Sequence, residues 1–305
     1  MAQTKIEWTA TPRADGTLAP GYTFNPWMGC TKVSAGCANC YAEALIDKHY
    51  KKAQWGPDGT RVRTTPEYWR QPVKWNRAAA AAGERRKVFC ASLADVFEER
   101  AELDAWRRDL WALIDATPSL DWLLLTKRPE NIETLAPINW INRGAPHNVW
   151  LGTSVENQET ANERIPLLLR YLPVVRFLSC EPLLGPLNFV GRDHPCGYYF
   201  QAHMSMGQSP IDWIIVGGES GRHARPCSLD WMRDLRDQCA ATGVPCFVKQ
   251  LGANVRLMDG DTGVYVCDDD KGGDPIEWPA DLRVRQWPST AVIAANQAWQ
   301  AETAK

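Results

Sequence analysis

Three cysteines fall within eleven positions in the stretch NPWMGCTKVSAGCANCYAEAL. They are Cys30, Cys37 and Cys40, spaced C-x6-C-x2-C. Their neighbours are mostly small, polar or glycine, and a helical run begins only at Tyr41. Thiolates are nucleophiles and metal ligands, so a loop of this kind suits a metal or redox centre. Two occupants are open on the residues alone. Structural zinc usually takes four ligands, often as paired hooks; here there is one C-x2-C hook plus Cys30, and Cys90 or Cys180 would have to complete the set. An iron–sulfur cluster is held by thiolates, commonly four; three would leave one iron open to a substrate or cofactor, as in an open catalytic metal site.

Six short apolar runs could carry such a loop: KVFCASL from Lys87, DWLLLTK from Asp121, NVWLGTS from Asn148, VVRFLSC from Val174, DWIIVGG from Asp212 and VPCFVKQ from Val244. Their length suits buried parallel strands, and GYTFNP supplies a seventh. Helical patterns lie between them. LDAWRRDLWALIDATP places Leu103, Trp106, Leu110, Leu113 and Ile114 on one face. In SLDWMRDLRDQCAATG, Ser228 is the expected N-cap and Gly243 the expected stop. PEYWRQPVKWNRAAAAA reads as helix that Pro72 interrupts.

Alternating strands and helices predict an α/β fold with a parallel sheet, either open and doubly wound or a (β/α) barrel. Neither G-x-G-x-x-G nor a phosphate-binding G-x-x-x-x-G-K-[ST] occurs. Polar residues close almost every run: Ser92 and Asp95; Thr126, Lys127 and Arg128; Ser154 and Glu156; Cys180 and Glu181; Gly217, Gly218 and Glu219; Lys249 and Gln250. In a barrel these ends meet on the rim where active sites sit.

The chain has 305 residues, is 45% hydrophobic and 23% charged, and holds ten cysteines. It contains no stretch of about 18 apolar residues that would span a membrane. Its N-terminus has no apolar signal-peptide core, so the expected setting is the cytoplasm, with reduced thiols and no membrane partner. The net charge is −2, unevenly spread: residues 1–90 carry a surplus of seven positive charges and the remainder a surplus of nine negative ones. Between residues 48 and 77 cations alternate with Tyr50, Trp55, Tyr68, Trp69 and Trp75. Such a segment is either a polynucleotide surface or a solvated face over inward-packed aromatics.

The cysteine loop ahead of a (β/α) pattern resembles the radical S-adenosylmethionine enzymes. More closely, TFNPWMGCTKVSAGCANCYAE, FLSCEPLLGPL, DWIIVGGESG and VPCFVKQLG resemble a phage- and prophage-associated family with a radical-SAM-like three-cysteine motif. The first cysteine gap is six residues, where three is commonest. Asn39 stands where an aromatic often precedes the last cysteine, and VGGES lies later than the family's usual Gly-Gly-Glu. The resemblance implies a partial or full (β/α) barrel over residues 1–252; the turn-rich residues after it predict a cap, and 289–305 a terminal helix, over 253–305. The resemblance also implies that Cys30, Cys37 and Cys40 hold a [4Fe-4S] cluster, whose open iron takes S-adenosylmethionine for reductive cleavage to a 5′-deoxyadenosyl radical. It further implies an electron donor as partner. Cofactor contacts are expected from Ser92 and Asp95 to the amino group, Lys127 or Arg128 to the carboxylate, and Ser154 and Glu156 to the ribose. Glu181, Glu219 and Lys249 would face substrate, and Cys180 would be a hydrogen-atom donor or a buried structural thiol. A nucleic acid or nucleotide is the expected substrate, with a peptide or small molecule left open. A zinc-stabilised nucleic-acid-binding protein without catalysis is the alternative.

Overall fold

The computed structural model describes residues 4–190, 211–258 and 263–303. Residues 191–210 of the expected barrel, 259–262 of the turn-rich segment and the last two of the expected terminal helix lie outside the described residues. The chain is mixed α/β, with a seven-stranded parallel sheet. The strands are β1 (Tyr22–Thr23), β2 (Arg86–Cys90), β3 (Leu120–Thr126), β4 (Val149–Ser154), β5 (Val175–Cys180), β6 (Trp213–Gly217) and β7 (Cys246–Gln250). Every apolar run named above contributes a strand, and some are buried on both faces: all six residues of β4 and all five of β6 are buried.

Two compact units divide the chain. The first comprises residues 1–152, 171–174 and 294–305; the second comprises 153–170 and 175–293. In the first the sheet runs β4-β3-β2-β1, with Tyr22 opposite Val88 and Arg86 opposite Leu120. In the second it runs β7-β6-β5, with Trp213 opposite Phe177 and Ile214 opposite Cys246. Thr153 and Ser154, the end of β4, are grouped with the second unit. Within each unit sheet order follows chain order, without the reversal that marks a doubly wound sheet.

In the first unit, α1 (Pro66–Trp69) and α2 (Gln71–Ala81) replace the single interrupted helix. The break falls at Arg70, and Pro72 sits in the first turn of α2, where its missing N–H has no intrahelical partner to lose. The aromatics of this region mostly pack inward. Trp75 stacks on Tyr22 at 4.4 Å, Tyr68 stacks on Phe24 at 5.2 Å, and Trp69 meets Phe24 edge-on. Only Tyr50 among the five is exposed.

The next helix, α3 (Asp104–Asp115), buries Arg107, Leu110, Trp111 and Ile114. Trp106 and Leu113, expected on that face, are only half-buried. The face is rotated because Arg107 turns inward to donate to the carbonyls of Val96 (2.9 Å) and Glu98 (2.7 Å). Two further helices belong to the second unit. The first, α4 (Gln158–Leu168), is opened by an Asn157–Thr160 capping box. The other, α5 (Leu229–Thr242), starts on the Ser228 hydroxyl and ends at Gly243 with φ +72°, both as expected. Val255–Arg256 then pairs antiparallel with Val264–Tyr265, and α6 spans Thr290–Thr303. No helix among the described residues is long and apolar enough to cross a membrane.

Lys87 in β2 is buried, and its ammonium group donates to Ala10 O at 2.8 Å. Burial lowers its pKa to about 8. A lysine that binds its proton less tightly folded than unfolded destabilises the fold below pH 8, and the penalty fades as pH rises toward about 10.4. The stability of the native chain relative to Lys87→Met should therefore improve by up to about 3 kcal/mol between neutral pH and pH near 10. Urea denaturation of both proteins at the two pH values checks this.

Candidate functional site

The cysteine loop leaves β1 at its C-terminal end. Trp27–Met28 is held by antiparallel pairing with Val62–Arg63. Gly29 follows with φ +107°, and a Cβ there would lie 2.5 Å from Thr60 O. Only glycine lets the chain pass so close before turning Cys30 inward. Cys37 ends a short 3-10 turn, and Cys40 precedes the helical turn that starts at Tyr41. All three thiols are free and half-buried, whereas Cys90, Cys180, Cys227, Cys239 and Cys246 are buried.

Beneath Cys30 lies a network of buried charges. Arg61, with a fully buried side chain, forms a two-pronged pair with Glu98 at 2.7 and 2.6 Å. Its guanidinium also donates to Thr31 Oγ1 at 2.8 Å and to the carbonyls of Thr60 and Gly56. Arg128 follows β3. It donates to Asp95 Oδ2 at 3.0 Å, to Thr31 O at 2.5 Å and to Cys30 Sγ at 3.6 Å, with Glu98 at 3.8 Å. Two arginines thus grip the backbone and side chain of Thr31, fixing the first cysteine. Asp95, after β2, accepts from Thr126 Oγ1 and from the backbone N–H groups of Phe97 and Lys127 as well as from Arg128. It is the junction between the ends of β2 and β3.

Burial disfavours thiolates at both ends of the loop, and nearby donors offset this only in part. Burial pushes the Cys30 thiol up to about 12, and Arg128 opposes that shift. Burial also raises Cys40, against which the backbone N–H groups of Glu43 and Ala42 and the Lys127 ammonium act. Cys37 lies near enough to Cys40 to disfavour charge there, a conflict that a cation would remove. Ser92 Oγ pairs with the Asn25 side-chain amide, and Asn25 Oδ1 also accepts from Leu93 N at 2.8 Å. The exposed Tyr41 donates through its hydroxyl to Ser92 O at 2.6 Å.

The second unit holds its own cluster. Glu181, just past β5, pairs with Lys249 in β7, both partly exposed. Gly217 lies beneath the pair: a Cβ there would touch Glu181 Cγ and Cδ at 3.5 Å. Glu156 is fully buried against Arg164 of α4, which also donates to Ser154 O at 2.8 Å. Glu219 is clasped by Arg225 through its backbone N–H and guanidinium at 2.5–2.9 Å. Cys180 is fully buried, and burial raises its pKa well above the ordinary value.

The family described as "Protein of unknown function (DUF5131)" matches residues 3–283. The chain belongs to the DUF5131 family. No curated protein and no solved structure matches it.

In this DUF5131 chain the expected residues fall into separate groups. Cys30, Asp95 and Arg128 are in one network, with Lys127 N–H on Asp95 and Ser92 held nearby by Asn25. Glu181 and Lys249 form a pair, while Ser154 and Glu156 share Arg164. Sequence reasoning missed Asn25, Arg61 and Glu98. The signal available was their place: Asn25 precedes the loop by five residues, and Arg61 and Glu98 are charged residues beside apolar ones.

Among the described residues no group of three or more His, Cys, Asp or Glu side chains is gathered as around a metal ion. The donor chemistry nevertheless fits an iron–sulfur cluster. Three free thiols share one half-buried loop, and cationic or N–H donors face two of them.

Proposed function

We propose that this DUF5131 protein is a radical S-adenosylmethionine enzyme acting on a nucleic acid or nucleotide in a reducing, cytoplasmic setting, with an electron donor as partner. The observation that carries the reading is the cysteine loop itself: three free thiols at the C-terminal end of β1, the first anchored by two buried arginines. Cys30, Cys37 and Cys40 would hold a [4Fe-4S] cluster. When bound, that group supplies an electron and an open iron site to S-adenosylmethionine.

The chain's own residues do the rest. Arg61 and Arg128 hold Thr31 and so fix Cys30. Arg128 donates to the sulfur, which stabilises a thiolate. Asp95 uses its carboxylate to bind the ends of β2 and β3, and we assign it and Arg128 to holding the loop; Lys127 and Ser92 are then the nearer candidates for cofactor contact. Glu181 and Lys249 offer a paired acid and ammonium group that can bind complementary polar groups of a substrate. Ser154, Glu156 and Glu219 are engaged with arginines and position neighbouring segments, and buried Cys180 suits a structural thiol or a hydrogen-atom donor. The chain-order sheet in each unit supports a (β/α) barrel of the radical S-adenosylmethionine type.

Protein purified without oxygen should contain iron and acid-labile sulfide. With dithionite it should convert S-adenosylmethionine to 5′-deoxyadenosine, detected by chromatography, and without a reductant it should not. A colourless protein with one zinc, no sulfide and no cleavage would favour the zinc-stabilised binder.

A further inference from the structure

The helical turn Ala44–His49 ends in an exposed run, Lys48-His49-Tyr50-Lys51-Lys52. Its backbone is fixed: Tyr50 N donates to Leu45 O and Lys52 N to Ile46 O, both at 2.9 Å. Lys51 has φ +51°, the only positive value at a non-glycine among the described residues. This is the position just past a helix where glycine is usual because a Cβ is strained there. The chain keeps a lysine instead.

The lysines of this run are less tightly paired than the neighbouring arginines. Arg61, Arg63 and Arg70 pair with Glu98, Asp109 and Glu67. Lys51 and Lys52 form no ion pair among the described residues, and Lys48 has only Asp47 at 3.6 Å and Glu43 at 3.8 Å. Asp47 is otherwise occupied by the Trp55 N–H at 2.8 Å. The three lysines line a cavity of about 360 Å³ with Asp47, Gln54 and Thr60. At the same turn Tyr50 is 54% exposed, with the His49 ring at 4.6 Å and the Lys52 ammonium 5.3 Å over its ring.

We infer that Lys48–Lys52 is a single-stranded nucleic-acid site, with backbone phosphate over the three ammonium groups and a base stacked on Tyr50. Ammonium groups alone would suit any polyanion. The exposed ring among them favours a polynucleotide over an acidic polypeptide, since bases stack on aromatics. A cation at a helix C-terminus is favourable in itself, which explains a lysine at this end of the helix but neither the exposed tyrosine nor the cavity. The inference deepens the nucleic-acid part of the proposed function and does not depend on the cluster.

The test is fluorescence anisotropy of full-length protein with a labelled single-stranded oligonucleotide across a salt series. Three phosphate contacts predict a log–log salt slope of about −2. Lys48→Ala/Lys51→Ala/Lys52→Ala should weaken binding at least about tenfold and flatten the slope, and Tyr50→Ala should weaken it about tenfold. Lys51→Gly should act in two directions at once: it lowers affinity by removing a cation yet raises the melting temperature by relieving the strained φ. All are surface changes, and near-native melting curves verify folding. Unchanged binding in the triple variant overturns the inference, as does a neutral Tyr50→Ala with polyglutamate competing as well as the oligonucleotide, which assigns the patch to acidic protein. Iron is measured on the same samples. Wild-type iron with no oligonucleotide binding overturns this inference alone, whereas binding without iron counts only against the cluster.

Discussion

Serine at Cys30, Cys37 or Cys40 is expected to strip most of the iron from anaerobically purified protein, while Cys239→Ser leaves it in place. Cys239 is the right control because it is buried in α5, against Cys246. The three loop thiols are instead half-buried. Ligating sulfur must be a thiolate, and a serine hydroxyl is a far poorer donor to iron. Cys30→Ser should also abolish S-adenosylmethionine cleavage, and metal analysis with sulfide assay reads both effects. Equal iron in all four variants would remove the loop from metal binding altogether.

Arg61→Met should destabilise the folded protein by about 3 kcal/mol, the low end of the range for breaking a buried pair. The low end applies because Glu98 would keep Arg128 at 3.8 Å. Without Arg61, Thr31 Oγ1 loses its guanidinium donor, as do the carbonyls of Gly56 and Thr60. Arg61→Met/Glu98→Met should cost less than twice the single change, because no buried charge is left unpaired at that position. Denaturant unfolding of the three proteins decides this; a single variant as stable as the native chain would show that the pair does not hold the loop.

The strands were legible because a buried parallel strand is written as one contiguous apolar run, and the chain separates those runs with capped helices. Ser228 and Gly243 could be read because capping depends on residue type at a single position. The face of α3 could not be read the same way. Apolarity alone chose Trp106 and Leu113, whereas Arg107 took a buried place by reaching backbone carbonyls. The aromatic stretch from Trp55 to Trp75 was ambiguous for a related reason: inward and outward rings look alike until Tyr22 and Phe24 are seen to receive them.

At the site, the cysteines and the polar strand ends were visible as motifs, but their partnerships were not. Arg61 meets Glu98 across 37 residues, and Arg128 meets Cys30 across 98. Pairings of that range leave no periodic trace in sequence. They also alter the reading of Asp95 and Arg128. Both were expected to contact a cofactor, and both also bind neighbours within the protein.

Chain-order pairing of the strands has a consequence for synthesis. Cys30, Cys37, Cys40, Arg61, Asp95, Glu98 and Arg128 all precede residue 129. A growing chain therefore carries the complete anchor of the cysteine loop before β4 to β7 have been translated, and each of β2 and β3 needs only the strand made just before it. Local pairing of this kind favours vectorial assembly during translation. The contact between Asn296 and Val174 O is the counterpoint: residues 294–305 complete the first unit from the far end of the chain. Ribosome-bound fragments ending after β3 would thus carry the three loop thiols on a core still awaiting its final helix, so formation of the cysteine loop and completion of that core become separable events in time.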